Sequence, residues 1–146
     1  MSALASNDSF EQFSDIEIVA KTLYGEARGE GYEGQQAVCN VIFNRASNPG
    51  WWGKDPRSVC LKPYQFSCWL DDGPNLPVML SVTEEDSVYA QCLAIAASAA
   101  NKTLLDITNG ADSYVVTGTV TEWNKNLKPV AIIGHQSFYV TIQATS

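Results

Sequence analysis

Residues 14–30 read SDIEIVAKTLYGEARGE, and this stretch decides how the chain begins to fold. Ser14 and Glu17 form an S-x-x-E capping box, the signature of a helix N-terminus. Apolar residues follow at the three- and four-residue spacing of an amphipathic helix: Ile16, Val19, Ala20, Leu23 and Ala27. The sequence therefore predicts a helix that begins at Ser14 and ends near Gly29, which can stop it.

The end of this helix carries a carboxylate at a position expected to face inward. Glu26 follows Leu23 by three residues and so continues the apolar stripe. Burial disfavours an ionised carboxylate, and an acid kept protonated near neutral pH is what a general acid requires. Glu30 is expected to share that face and to raise the Glu26 pKa further. The structural alternative is an ion pair, in which Arg28 or Arg45 neutralises one of these acids.

The remaining pattern predicts a mostly helical α+β domain. A second helix is expected over residues 33–46, and a third from a Thr83 cap to about Asn101. Between them, residues 47–82 hold five of the six prolines and predict a long irregular loop region. After Gly110, short β-branched and aromatic runs predict a small C-terminal antiparallel sheet or hairpin.

Composition narrows the function classes. The 146 residues, 45% of them hydrophobic, suit one domain over residues 14–146, preceded by a flexible N-terminus over residues 1–13. A net charge of -7 argues against nucleic acid or an anionic membrane held by electrostatics. No run approaches the roughly 18 apolar residues of a membrane span, and the start lacks the pattern of a secretory signal.

Cysteine and histidine usage predicts neither a metal site nor a cofactor. The chain has a single histidine, His135. Its four cysteines show no CxxC spacing: Cys39, Cys60, Cys68 and Cys92. Cys60 and Cys68 flank a short loop and are able to pair in an oxidising compartment. A cysteine nucleophile with His135 as its base stays open as an alternative chemistry.

Four stretches of the chain resemble, in order, the SleB-like bacterial cell wall hydrolases, a family found in spore-cortex-lytic enzymes and phage lysins: TLYGEARGEGYEGQQAVCNVIFNR, PYQFSCW, GADSY and KPVAIIGHQSFY. The resemblance covers about residues 16–140. It implies a lysozyme-like, mostly helical domain that cleaves peptidoglycan glycan strands between N-acetylmuramic acid and N-acetylglucosamine. It also implies that Glu26 is the catalytic acid and that the products end in 1,6-anhydromuramic acid, as for a lytic transglycosylase.

Aromatic residues interleaved with amides and hydroxyls suit a sugar, although each such motif by itself also fits ordinary core packing. Together with the acid they predict a glycan cleft. The residues expected to contact substrate are Tyr24, Glu30, Gln65, Phe66, Ser67, Trp69, Tyr114, His135 and Tyr139.

The number of acids bears on the mechanism. A glycosidase that uses water or a covalent intermediate needs a second carboxylate within roughly 5 to 9.5 Å of the first. The candidates are Glu30, Glu33, Asp71, Asp72 and Asp112, but no acid lies inside QFSCW or IGHQSFY. This favours transglycosylation by one acid over simple hydrolysis.

The chain is expected to be a monomeric, phage lysin-like protein, made in the host cytoplasm and acting on the wall after release. A non-catalytic module that only grips wall glycan is the binding-class alternative. A Cys-His amidase or peptidase is the third hypothesis for the function.

Overall fold

Helices form the first two thirds of the described chain and a small sheet closes it. The computed structural model describes residues 10–48, 51–63, 65–70 and 73–142. The α-helices are α1 (Asp15–Ala27), α2 (Gly31–Ser47), α3 (Pro56–Leu61), α4 (Asn75–Ser81) and α5 (Ser87–Ala100). A 3₁₀ helix covers Ser67–Trp69, and the strands are β1 (Ser113–Val116), β2 (Ala131–Ile133) and β3 (Gln136–Tyr139). The antiparallel order β1-β3-β2 confirms the predicted mostly helical α+β domain with a C-terminal sheet.

Helix α1 begins at the predicted capping box. Ser14 N donates to Glu17 Oε1 at 2.9 Å, and Glu17 N donates to Ser14 Oγ at 3.1 Å. The helix packs against α2, α3, α4 and α5, so it forms the centre of the helical part. Burial therefore extends around α1 beyond one stripe and includes Lys21 and Thr22. None of the described helices is long and apolar enough to cross a membrane.

The buried Lys21 ties α1 to the end of α4. Its Nζ donates to the Met79 carbonyl at 2.8 Å and lies 4.6 Å from the centroid of the Phe13 ring and 4.8 Å from that of Tyr89. Burial lowers the pKa of Lys21. Helix C-terminal carbonyls and aromatic faces both attract a cation, so this charge stabilises the packing instead of marking a site.

The stretch expected to be a long irregular loop contains helices. Asp55 caps α3, since its Oδ1 accepts from Ser58 N at 2.8 Å, and Pro56 occupies the first helical position. Proline is favoured there because the missing N–H would have no helical partner anyway. Prolines that were interpreted as loop signals thus mark helix starts, and the loop prediction for residues 47–82 was wrong in that respect.

Helix α5 begins later than predicted. Its N-cap is Asp86, whose carboxylate accepts from the backbone N–H groups of Val88 and Tyr89. Thr83 instead precedes a short turn before the helix. A carboxylate that satisfies two free N–H groups and opposes the helix dipole outcompetes the threonine cap.

Packing extends ahead of the predicted domain start. Phe10, which is predicted to lie in a flexible terminus, is fully buried, and its ring centroid lies 4.8 Å from that of Trp69. Arg57 Nη2 donates to the Phe10 carbonyl at 2.8 Å. The described chain is therefore anchored from residue 10 onward.

The sheet places one face against α2. Phe138 on β3 packs with Ala37 and Val41 of α2, and Tyr114 stands opposite it in the β1–β3 register. The Tyr114 and Phe138 ring centroids are 5.5 Å apart. Because side chains alternate along a strand, Tyr139 lies on the other face, against Trp123 at 5.4 Å. This register carries the Tyr114 hydroxyl towards the end of α1.

Candidate active site

The last turn of α1 holds a half-buried acid, Glu26. Burial raises its pKa above the ordinary 4.5, while interactions with the Cys68 thiol and backbone amide and with the Tyr114 hydroxyl oppose that shift. The Tyr114 hydroxyl donates to Glu26 Oε1 at 3.3 Å. Burial alone raises the pKa, and Glu30 is not among the groups that shift it, so the predicted contribution of Glu30 is wrong. The protonated form of Glu26, which a general acid requires, is therefore more accessible than in an exposed glutamate.

A glycine beside the acid lets two helices meet. A Cβ at Gly25 would lie 2.6 Å from Met79 Sδ and 2.7 Å from Cys68 Cβ, so only glycine fits this contact. The 3₁₀ helix Ser67–Trp69 can then approach α1 and bring Cys68 beside Glu26. Sequence reasoning missed Cys68 and Gly25 as site residues. Their signal was their place inside the motifs QFSCW and YGEARGE.

The QFSCW motif divides between core and cleft. Phe66 and Trp69 are buried, and the Trp69 indole N–H donates to Thr22 Oγ1 at 2.8 Å. Their assignment to sugar contacts is therefore corrected: in this fold they are core residues. Ser67 is exposed, and Gln65 is half-buried at the wall of a cleft.

Tyr24 faces away from the acid. Two residues along a helix turn the side chain by about 200°, which places Tyr24 opposite Glu26. Its hydroxyl donates to Asp86 Oδ2 at 2.7 Å and its ring packs edge-on to Tyr89. Tyr24 thus joins α1 to α5, and its predicted role in substrate contact does not fit this position.

A cleft of about 390 Å³ is bordered by Tyr114, whose hydroxyl donates to Glu26, whereas Glu26 itself is not one of its lining residues. The predicted residues Gln65 and Tyr114 border it together, whereas Tyr139 reaches it only through its partner Trp123. The other lining residues are Arg45, Trp51, Trp52, Ser113, Val115, Trp123 and Thr141. Trp51 is 65% exposed, an unusual setting for a large aromatic side chain. Sequence reasoning did not single out Trp51 and Trp52, although they stand together in the turn-rich NPGWWGKDP.

Glu30 and His135 form a separate pair at the start of α2. His135 Nδ1 lies 3.6 Å from Glu30 Oε2, and the His135 side chain is 87% exposed. Glu30 Oε1 is buried and has no hydrogen-bond partner among the described residues. A Cβ at Gly134 would stand 3.4 Å from that oxygen. The structure therefore places these two predicted residues together, but not on the wall of the 390 Å³ cleft.

The other candidates for a second catalytic carboxylate differ in burial and in hydrogen bonding. Asp112 is buried and accepts from Thr141 N and Oγ1, from Ile142 N and from Ser113 Oγ, so it fastens the chain after β3 instead of serving chemistry. Glu33 is exposed in the first turn of α2. Asp71 and Asp72 lie outside the described residues. Among the described candidates for a second acid, Glu30 is the one with a buried oxygen that has no hydrogen-bond partner.

The chain matches a family model with the description Cell Wall Hydrolase over residues 29–139. The chain belongs to the Cell Wall Hydrolase family. The match spans more than half of this cell wall hydrolase and includes Gln65, Tyr114 and the tryptophans of the cleft. Glu26 stands three residues before the start of the match, and what distinguishes it is its burial and its contacts with Cys68 and Tyr114.

Spore cortex-lytic enzymes are among the relatives of this cell wall hydrolase. The enzyme of Bacillus subtilis (strain 168) is 41% identical over 58 residues, which are 40% of this chain and 19% of the relative. That of Oceanobacillus iheyensis is 57% identical over 58 residues, which are 40% of this chain and 21% of the relative. The aligned part is thus about a fifth of the length of these relatives.

Two solved structures share the fold. The catalytic domain of the Bacillus cereus SleB protein has a TM-score of 0.63 and 26% identity, with 86% of this chain and 88% of that chain covered. The catalytic domain of the germination-specific lytic transglycosylase SleB from Bacillus anthracis has a TM-score of 0.63 and 24% identity, with 88% and 98% covered. The latter likeness shows the fold alone.

The thiols of this cell wall hydrolase are unsuited to nucleophilic catalysis. Within the described chain all four cysteines are free and buried, so the possible Cys60–Cys68 disulfide is not formed. Burial raises the pKa of Cys60 and of Cys92 to about 12, and that of Cys68 well above its usual range. His135 is exposed and paired with Glu30, so the Cys-His alternative lacks an assembled pair. The described residues also contain no cluster of three potential metal ligands.

Proposed function

We propose that this cell wall hydrolase cleaves the glycan strands of peptidoglycan between N-acetylmuramic acid and N-acetylglucosamine, as a lytic transglycosylase that uses Glu26 as both acid and base. The observation that carries the proposal is the carboxyl group of Glu26. It is half-buried, its pKa is raised by burial, and it is hydrogen-bonded to a tyrosine that borders an aromatic cleft. A carboxyl group with a raised pKa, linked through Tyr114 to a cleft of this size, suits the protonation of a glycosidic oxygen.

Proton transfer in the proposed reaction begins and ends on Glu26. Its carboxyl proton passes to the glycosidic oxygen as the bond from that oxygen to muramic C1 breaks. The muramic 6-hydroxyl then bonds to C1, and its proton returns to the Glu26 carboxylate. The N-acetylglucosamine end leaves as an alcohol, and the muramic end becomes a 1,6-anhydro ring. Glu26 is thereby restored without water or a second acid.

Tyr114 has a positioning role in this scheme. Its hydroxyl stabilises the carboxylate that Glu26 becomes midway, and its ring is held against Phe138 of β3. The hydroxyl lowers the Glu26 pKa while burial raises it. These opposing effects keep the group able both to lose and to regain a proton.

Hydrolysis through a second carboxylate is the second candidate, and one observation favours it. Glu30 follows Glu26 by four residues and has a buried oxygen without a hydrogen-bond partner in the described chain. Such an oxygen is able to hold a water molecule. In that case the products would carry reducing-end muramic acid and Glu30→Gln would be as damaging as Glu26→Gln.

The site of action follows from the substrate. A cell wall hydrolase acts on the wall, and we propose that the chain does so as a monomer. The relatives described above are spore cortex-lytic enzymes of bacilli, and they give no support to the phage-lysin origin expected from the sequence. Spore cortex is therefore a substrate to test beside vegetative peptidoglycan.

Mass spectrometry of soluble products from purified peptidoglycan and cortex tests the proposal. The unmodified protein is expected to release fragments that end in 1,6-anhydromuramic acid, and Glu26→Gln to release none. Glu85→Gln is the matched control, because Glu85 is exposed in the turn before α5. Full lysis by Glu26→Gln would refute the assignment. Wall binding without any release of sugar by the unmodified protein would favour a binding module.

A further inference from the structure

One buried cation at the cleft has no carboxylate partner. Arg45, in the last turn of α2, is 8% exposed and borders the 390 Å³ cleft. Its Nε donates to the Asp112 carbonyl at 2.6 Å, and its Nη1 is buried without a hydrogen-bond partner among the described residues. No described carboxylate lies within salt-bridge distance, although the chain carries a net charge of -7.

The ring systems around Arg45 hold its guanidinium group in place. The guanidinium carbon lies 5.2 Å from the Trp52 ring centroid and 5.4 Å from that of Phe66. Both rings are buried, so the guanidinium group is packed against them at the edge of the cleft. A guanidinium with an unused N–H is well suited to a carboxylate, which it binds through charge-assisted hydrogen bonds of fixed geometry. Burial lowers the pKa of Arg45 although the charges of Tyr114 and Asp112 oppose that shift. A buried cation with no carboxylate in direct contact is costly, so an anionic ligand would stabilise this arrangement.

The other residues of the cleft indicate which kind of molecule would carry a carboxylate to Arg45. Trp51 and Trp123 are 65% and 41% exposed and offer apolar faces, and Gln65 adds an amide. Sugar rings stack on such faces, and a volume of about 390 Å³ is at the lower end of small-molecule sites. Such a cleft suits a sugar unit that carries an acidic substituent.

We propose that Arg45, with the tryptophans beside it, forms a subsite for a carboxylate on the muramoyl unit of the glycan. The carboxylate is either that of the lactyl group, where the peptide has been removed, or one of the stem peptide. The proposal rests on the proposed glycan substrate. It adds that affinity depends on the acid form of the substituent.

Calorimetric binding to the inactive Glu26→Gln protein tests the subsite. The ligands are peptide-free glycan fragments with lactyl carboxylates and the same fragments amidated with methylamine. Loss of one charge-assisted contact predicts roughly 10- to 100-fold weaker binding of the amidated fragments. A second pair, muropeptides with free or amidated stem carboxylates, locates the acid. A preference within the first pair places it on the lactyl group, and a preference only within the second places it on the stem.

A pair of variants assigns the preference to Arg45. In the Glu26→Gln background, Arg45→Gln is expected to bind acid and amide forms alike. Lys62→Gln is the matched control, since Lys62 Nζ lies 5.0 Å from the Trp51 ring centroid but outside this cleft, and it should keep the preference. A preference that survives Arg45→Gln in a folded protein would overturn the assignment.

The outcome does not depend on the folding of that variant. Equal affinity of the Glu26→Gln protein for acid and amide forms of both pairs overturns the subsite. If the unmodified protein still cleaves glycan, only the subsite has failed. If acid-selective binding occurs without cleavage by the unmodified protein, the subsite stands and the proposed reaction has failed.

Discussion

Substitution of Gly25 by alanine tests the contact that brings Cys68 to the acid. Gly25 lies inside α1, where alanine is favoured over glycine by about 1 kcal/mol of helix propensity. Local preference therefore predicts a more stable protein. The structure predicts the reverse, because the new Cβ would lie 2.6 Å from Met79 Sδ, 2.7 Å from Cys68 Cβ and 2.9 Å from Cys68 Sγ.

The size of the effect follows from these distances. Ordinary contact begins at 3.4 Å, so Cys68 must withdraw by roughly 0.7 Å in a core that contains little free space. Met79 and Cys68 are both buried, and a Cβ atom moves only with its backbone. Overpacking of this kind costs about 3 kcal/mol, the upper part of its usual range. After the gain in propensity, a net loss of about 2 kcal/mol remains, or a fall in Tm of roughly 4 to 8 °C.

Urea denaturation followed by circular dichroism measures this change in the free energy of unfolding. Gly29→Ala is the control, since nothing lies within 4 Å of its new Cβ, and its stability should be unchanged or higher by less than about 1 kcal/mol. Lysis by Gly25→Ala should fall as well, because Cys68 no longer lies correctly against Glu26. A Gly25→Ala protein as stable as the unmodified one, or an equal loss in Gly29→Ala, would refute the reasoning.

Three further predictions concern single side chains. Glu26→Gln should be more stable than the unmodified protein at pH 7 but not below pH 4.5, the ordinary pKa of the group. Because the pKa of Glu26 is raised in the folded state, the stability associated with the protonated acid is lost as the pH rises through the folded-state pKa. Denaturation of both proteins at pH 7 and below pH 4.5 measures this difference. Tyr114→Phe should move the alkaline limb of the kcat/KM profile to higher pH, since its hydroxyl lowers the Glu26 pKa; an unmoved limb would contradict that role. Asp112→Ala should lower the free energy of unfolding by about 2 to 4 kcal/mol, because the N–H groups of Thr141 and Ile142 lose their acceptor, and a loss under 1 kcal/mol would contradict it.

Helix α1 shows what local pattern predicts well. The capping box at Ser14 and the three- and four-residue spacing involve residues within one or two turns, so the start of the helix agrees with the structure. The same periodicity placed Glu26 on an inward position, and the structure finds it half-buried with a raised pKa. The C-terminal strands were predicted for the same reason, since alternation and turn residues are local signals.

The aromatic residues show where pattern fails. Phe66 and Trp69 are core residues, whereas Trp51 and Trp123 are exposed at the cleft. An aromatic side chain suits both settings, and only the position of distant elements selects between them. The short helix α3 was missed because proline signals a loop and a first helical turn alike.

The sequence by itself determined the helical class, the first helix and the likeness to cell wall hydrolases. Only the tertiary structure decided which groups meet the acid: Tyr114 is 88 residues from Glu26 along the chain. The pKa of a carboxyl group depends on its burial and on the groups around it, and both are properties of packing. Cap and periodicity act over a few residues, whereas the surroundings of Glu26 are built by contacts with Cys68 and Tyr114, which lie far along the chain.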